Sequence, residues 1–398
     1  MVPARWPAVA GRGRADPPVI SSPGAVELAD LAERREVAAV DLWWVSLPLL
    51  NVHRAAHGIE VDRQVVVVRL TLADGSEGWG ECPTLSRPTY SNEYTAAAFA
   101  LLRDEVVPWL LGSAGAVPIG HPMAVAAVIT AHLDARLRSS DTALVDRLAS
   151  NHGRPAGAVA RTSVVGRTDD VDRLVEVVAE RIAQGAAMIK LKAGPQASDI
   201  DAVAAVRSTW PDLALAVDGN GTLDVRSASM LDGLGLTYLE QPLPADDLVG
   251  LAGLARRLSC PLALDESVTS VAVLEAALAL GSGSVVNVKP ARLGGPRGAA
   301  GLARVATDAG WGLFVGGILE TGDGRAAALA VAALPSVTLP TDLGPSSHYF
   351  SHDLTESLEC DGEGRLLVPN GPGIGVTPDE GRLADATVRH HRSSPQAR

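Results

Sequence analysis

With 398 residues, 47% of them apolar and 20% charged, the chain has material for a large core and is expected to form one big domain or two unequal ones. Its 34 basic residues against 46 acidic ones leave a formal charge of -12, which argues against nucleic acid or an anionic membrane as the main partner. No apolar run reaches bilayer length, and Cys82, Cys260 and Cys360, far apart and without a CxxC, fit a reducing cytoplasm better than a disulfide framework.

Residues 1–36 mix Arg, Pro, Gly and Ala without the apolar core of a cleaved signal and are expected to be a disordered extension. From Val40 the pattern alternates, so residues 41–47, 63–72 and 78–82 read as strands of a meander. Two polar stretches, 51–62 with His53 and 83–94 with Tyr90, read as long functional or mobile loops. Helical periodicity follows in 95–111, 122–138 and 142–149, so residues 37–155 form an α+β unit.

A second rhythm then begins. Short β-like runs start at residues 162, 188, 213, 237, 262, 285, 313 and 337, so successive starts lie 23 to 28 residues apart. One strand, one helix and two loops need about that length, and eight such units close a parallel barrel, here spanning residues 156–345. A doubly wound open sheet normally stops at five or six strands and wants a Gly-rich phosphate turn after its first, which is not where the Gly pairs of this chain lie. Residues 346–388 are Pro/Gly-rich and are expected to pack back on the first unit, with 389–398 left as a disordered tail.

Sites in such barrels lie at the carboxyl ends of the strands. Runs two to six end in Lys192, Asp218, Glu240, Asp265 and Lys289: three acids flanked by an amine on each side. Buried anions converging on one cleft repel each other unless a cation joins them, and an all-oxygen set suits Mg²⁺ or Mn²⁺. Each acid alone has a plainer reading, Asp218 as turn chemistry and Asp265 as a helix cap. Lys190 and Lys192 share a strand face by the period of two; alone they read as a solvated pair, but a neighbouring cation is also how a lysine becomes a general base. A divalent ion on a carboxylate stabilises the dianionic enediolate left by loss of the α-proton, and amines on opposite faces can invert a stereocentre.

The motifs Lys190-Leu191-Lys192, Asp218-Gly219-Asn220, Glu240-Gln241-Pro242, Asp265-Glu266-Ser267 and Asn287-Val288-Lys289-Pro290 resemble the signature of the enolase superfamily, muconate-lactonizing subgroup. Trp79-Gly80-Glu81-Cys82, residues 90–94, and Gly316-Gly317-Ile318-Leu319-Glu320-Thr321-Gly322 sharpen the likeness to the o-succinylbenzoate synthase and N-succinylamino acid racemase family. The resemblance implies a modified (β/α)8 TIM barrel with an N-terminal α+β capping domain. It implies Asp218, Glu240 and Asp265 as metal ligands, Lys192 and Lys289 as acid/base groups, and Lys190 as the electrostatic neighbour of Lys192. Ser163, Gly317, Ile318, Glu320, His53 and Tyr90 match positions toward the substrate, and Asn220, Glu266 and Arg292 match positions supporting the ligands and bases. The same resemblance implies a cytoplasmic homo-oligomer acting on a small succinylated carboxylate, with no nucleic acid and no membrane.

Ala327 and Ala328, Gly219 and Val315 depart from the family pattern; none removes a ligand or a base, but they bear on which substrate is taken. A dipeptide epimerase would carry a second acid after Asp342, where Gly344 stands, and a mandelate-type racemase would carry His in place of Gly317. A muconate cycloisomerase remains an alternative, as does a non-catalytic metal-binding protein, which would have no use for the lysines.

Overall fold

The computed structural model describes residues 36–55, 58–113, 116, 120–150, 153–168 and 170–394; apart from Glu36, the expected extension lies outside the described residues. The first layer is an antiparallel sheet ordered β13-β1-β2-β3, from β1 (Val37–Ala55), β2 (Gly58–Leu72), β3 (Glu77–Cys82) and the C-terminal β13 (Thr387–Ser393). Val65-Val66-Val67-Val68 is apolar at every position because both faces of this sheet are covered. Val66 and Val68 face Phe99, Leu102, Met123 and Val128 of the cap helices, while Val65 and Val67 face Phe350, Leu354 and Leu383 of the C-terminal segment. Strand β3 lies directly on the helix Pro122–Ser139: a Cβ on Gly80 would stand 2.1 Å from the Ala127 carbonyl oxygen, so only glycine allows this approach.

Two readings of this region change. The polar stretch 51–62 is not an open loop; β1 and β2 run on as a long hairpin arm, held by main-chain pairing such as Arg54 with Ile59. His53 lies on that arm, and its side chain is outside the described residues. Nor is the tail from 389 frayed through Ser393, since β13 pairs with β1 from Val40 to Val45. Trp43 stacks on His390 at 4.9 Å and Asp41 takes both His390 and Arg392, partnerships too distant in sequence for local pattern to reveal.

After β4 (Ala158–Val159), which pairs with β12 (Leu366–Leu367), the second layer is a parallel sheet in chain order. Its strands are β5 (Thr162–Val165), β6 (Met188–Lys192), β7 (Leu215–Asp218), β8 (Leu239–Glu240), β9 (Leu262–Leu264), β10 (Val285–Val288) and β11 (Gly312–Val315). The eighth expected run is not a regular strand, because Pro340 interrupts it and has no N–H to give. It still closes the ring: Asp342 N donates to Val315 O on one side, and Thr162 N donates to Thr341 O on the other. Met188, Ala216, Tyr238, Ala263, Val285 and Phe314 fill the barrel floor, so the open end is the carboxyl one. Connecting helices start on side-chain caps, as at Asp170, Asp224, Asp247 and Ser270. Among the described residues no helix is long and apolar enough to cross a membrane.

Candidate active site

Parallel strands bring all their carboxyl ends to one mouth, and the register here sets the expected residues side by side: Lys192 pairs with Asp218, and Asp218 with Glu240. Asp265 follows β9 and Lys289 follows β10. All five line a single cavity of about 730 Å³, together with Ser163, Lys190, Asn220, Gly317, Ile318, Glu320 and, from the cap, Tyr90. Glu266 and Arg292 stand just behind them through hydrogen bonds.

Lys190 Nζ lies 2.5 Å from Glu240 Oε2 and also bonds Asp342 Oδ2. Burial opposes the ammonium charge, but Asp342 and Glu240 outweigh it and hold the lysine well above its usual range. One cation thus serves two acids, and burial pushes Glu240 up to about 8. Asn287 Nδ2 donates to the other Glu240 oxygen at 2.7 Å. On the next strand Lys289 Nζ and Arg292 Nη2 each reach one Asp265 oxygen at 2.6 Å. Burial of that carboxylate is overcome by the two cations, which pull it down to about 2, and Asp265 in turn keeps Lys289 protonated against its own burial.

Lys192 Nζ is placed differently, 2.8 Å from Asn220 Oδ1 and 3.5 Å from Asp218 Oδ2. Asn220 connects it to Glu266, to which Nδ2 donates at 3.2 Å. Burial, then the charges of Asp265 and Asp218, push Glu266 up to about 7. The Tyr90 hydroxyl accepts from Lys289 at 2.9 Å and Arg292 at 2.7 Å, and burial pushes it up to about 12. Three non-glycine residues adopt positive φ in the loops that follow strands of this mouth, Asn220 at 42°, Gln241 at 33° and Leu319 at 55°. Such conformations persist where surrounding contacts over-determine them: the Gln241 side chain is held by the main-chain N–H groups of Asp265 and Ser267.

Sequence reading left out two residues that the mouth contains. Asp342 ends the eighth run, and Asn287 lies two positions before Lys289 on the same strand face, so the rules that selected the other residues also reach them. Among the described residues no three acidic, histidine or cysteine side chains close on one another tightly enough to enclose a metal ion, because their oxygens are turned onto Lys190, Lys289 and Arg292. The positions nevertheless fit one. Asp218, Glu240 and Asp265 end or follow adjacent strands roughly 4.8 Å apart, within reach of a shared ion by side-chain rotation. Asp342 Oδ1, Asn287 Oδ1 and Glu266 Oε2 are buried without a hydrogen-bond partner among the described residues, which leaves acceptor capacity over.

The enolase C-terminal domain-like family model matches residues 173–382. An N-succinylamino acid racemase from an Amycolatopsis species is 37% identical over 367 residues, 89% of this chain and 98% of that one. An o-succinylbenzoate synthase from Geobacillus stearothermophilus is 35% identical over 331 residues, 80% of this chain and 87% of its own. A solved enolase-superfamily structure from Listeria innocua superposes with a TM-score of 0.83 at 27% identity, covering 91% of this chain and all of the other. The chain belongs to the enolase superfamily, in the family of the N-succinylamino acid racemases and o-succinylbenzoate synthases.

Proposed function

We propose that this enzyme removes the proton α to a carboxylate with a divalent cation, Mg²⁺ or Mn²⁺, held by Asp218, Glu240 and Asp265, and that its substrate carries a succinyl group. Racemisation of an N-succinylamino acid and dehydration to o-succinylbenzoate both follow from that one step. The observation that carries the reading is the position of the two lysines. Lys192 and Lys289 belong to the second and sixth strands of an eight-membered ring, half a turn apart, so a carbon between them presents opposite faces to the two amines.

The two lysines start from unlike surroundings. Lys192 rests on a neutral amide oxygen and is only loosely in contact with Asp218, whereas Lys289 is held protonated by Asp265. In this arrangement Lys289 is the proton donor; it becomes a base once Asp265 is drawn away, while Arg292 and Tyr90 keep its position. Lys190, fixed as a cation between Glu240 and Asp342, keeps positive charge on the Lys192 side of the mouth. The divalent cation supplies charge against the developing enediolate.

The test is α-proton exchange in deuterated water, followed by NMR, for an N-succinylamino acid with Mg²⁺ present, alongside turnover of the cyclohexadiene precursor of o-succinylbenzoate. Exchange that stops with a chelator and returns with Mg²⁺ is expected. Failure of both substrates would remove the reading.

A further inference from the structure

The cap touches one of the two opposed lysines and not the other. Tyr90 lies between β3 and the helix Thr95–Leu101, packed on the apolar cluster of the cap that contains Phe99, Leu102 and Met123. Its loop is tied to the cap: Ser91 Oγ donates to Glu93 O at 3.1 Å, and the Glu93 carboxylate accepts from Met123 N at 3.0 Å. From there the Tyr90 hydroxyl reaches the mouth, where it accepts from Lys289 Nζ at 2.9 Å and from Arg292 Nη1 at 2.7 Å, and its ring centre lies 5.1 Å from Lys289 Nζ. Lys192 is held from the barrel, by Asn220 Oδ1 at 2.8 Å and Asp218 Oδ2 at 3.5 Å, and no cap residue bonds it among the described residues.

Among the described residues Lys289 Nζ has two hydrogen-bond partners, Asp265 and Tyr90. Asp265 is among the acids proposed above to hold the cation, and a carboxylate turned to that duty leaves the Tyr90 hydroxyl to hold Nζ. A four-carbon side chain without a partner spreads over its rotamers, at a cost to any step that needs its nitrogen roughly 3–3.5 Å from the reacting carbon. Arg292 can only donate, so the hydroxyl oxygen it shares with Lys289 serves as an acceptor. An acceptor holds a lysine by an N–H and leaves the electron pair of the neutral amine to the substrate. We infer that Tyr90 is a positioning residue for Lys289 alone, so that the cap supports proton transfer on one face of the α-carbon while the opposite face depends on the barrel. The inference rests on the α-proton reading above and adds to it that the two faces are under separate control.

The test uses Tyr90→Phe in the full chain with Mg²⁺, a variant that removes the acceptor and keeps the ring and its packing. Loss of the α-proton in deuterated water is followed separately for N-succinyl-L-phenylalanine and its D enantiomer, since racemisation itself, with an equilibrium constant of one, cannot tell the two directions apart. The enantiomer served by Lys289 is the one that Lys289→Ala slows more. Tyr90→Phe is expected to lower kcat for that enantiomer with little change in KM, and to shift the ratio of the two exchange rates against it at least fivefold. A smaller shift overturns the inference, including equal losses for both enantiomers, which a merely structural role would give; a shift in the opposite direction overturns it too. Should wild type exchange neither enantiomer, or Lys289→Ala slow both alike, the reading by two opposed bases fails, and crystal structures with Mg²⁺ decide the positioning separately. A Lys289 side chain that leaves its wild-type rotamer in Tyr90→Phe supports it; one that stays in place sinks it.

Discussion

The seam between cap and barrel and the mouth of the barrel both bury charged side chains, but they satisfy them by opposite means. At the seam Arg63 spends its donors on main-chain carbonyls, those of Leu319, Gln64, Thr84, Pro83 and Ile318, all within 2.9 Å. Glu81 accepts from the main-chain N–H groups of Thr321 and Gly324 and from the Thr321 hydroxyl, capping the helix Gly322–Ala332 from another layer. In the mouth, Lys190, Glu240 and Asp342, and likewise Lys289, Asp265 and Arg292, close mainly on one another's side chains and leave acceptor atoms over. Main-chain partners cannot move without unfolding; side-chain partners can be exchanged for a ligand. The first arrangement fixes the cap over the mouth, and the second keeps the mouth ready to rearrange.

Removing a mouth lysine separates these roles most sharply. Lys192→Ala and Lys289→Ala are each expected to lower α-proton exchange by roughly 10³-fold or more while leaving the urea midpoint near that of wild type. A large loss of stability in either would mean that the mouth is built like the seam. The reverse is expected for Arg63→Leu, which strands several buried carbonyls at about 1–3 kcal/mol each. It should lower stability by at least about 3 kcal/mol in urea unfolding. Exchange would then fall only in proportion to the fraction unfolded.

The mouth was more legible in the sequence than the seam. Strand ends recur at a steady interval and alternate with period two, so Lys192, Asp218, Glu240, Asp265 and Lys289 are selected by arithmetic alone. Arg63 and Glu81 carry no such mark. Their partners lie 240 or more residues away for Glu81 with Thr321 and for Arg63 with Ile318 and Leu319, and nothing local separates a buried arginine from an exposed one. The same distance hid β13, whose Thr-Val-Arg-His-His-Arg-Ser pattern reads as a polar tail until Asp41 and Trp43 meet it. The eighth run, by contrast, is legible in the sequence, and Pro340 only keeps it from being a regular strand, because a residue without an N–H breaks the ladder while its neighbours still complete the ring.

A smaller effect is expected from pH, and it concerns the buried acids of the cap. Burial pushes Glu81 up to about 7, against the hydrogen bonds of Thr321, and Glu93, which caps the helix Pro122–Ser139, up to about 7 likewise. Both folded values lie above the ordinary carboxylate value of 4.5, so between about pH 4.5 and 7 the native state holds more protons than the unfolded chain. Their contribution is therefore present in full below that window, declines as pH rises through it, and is level above it. Urea unfolding should show a loss on the order of 2–5 kcal/mol between pH 5 and pH 8 from these two groups. Glu81→Gln should flatten part of that slope, since the amide cannot titrate. A slope unchanged in Glu81→Gln would assign the effect elsewhere.

The smallest expected effect comes from the one acid at the seam that breaks its rule. Asp323 lies in the first turn of the helix Gly322–Ala332, fully buried, and neither carboxylate oxygen has a hydrogen-bond partner among the described residues. Burial, with Glu81 and Asp134 adding like charge, holds it well above the usual carboxylate range, which favours its neutral form. A neutral acid and an amide have nearly the same size and polarity. Asp323→Asn should therefore change stability at pH 7 by no more than about 1 kcal/mol. Asp323→Leu, which places two apolar atoms where two polar ones lack partners, should be neutral or stabilising if the surroundings accommodate its shape. Were Asp323→Asn instead to cost as much as Arg63→Leu, Asp323 would be ionised and paired with a cation, and the seam would hold a charge cluster of the kind found in the mouth.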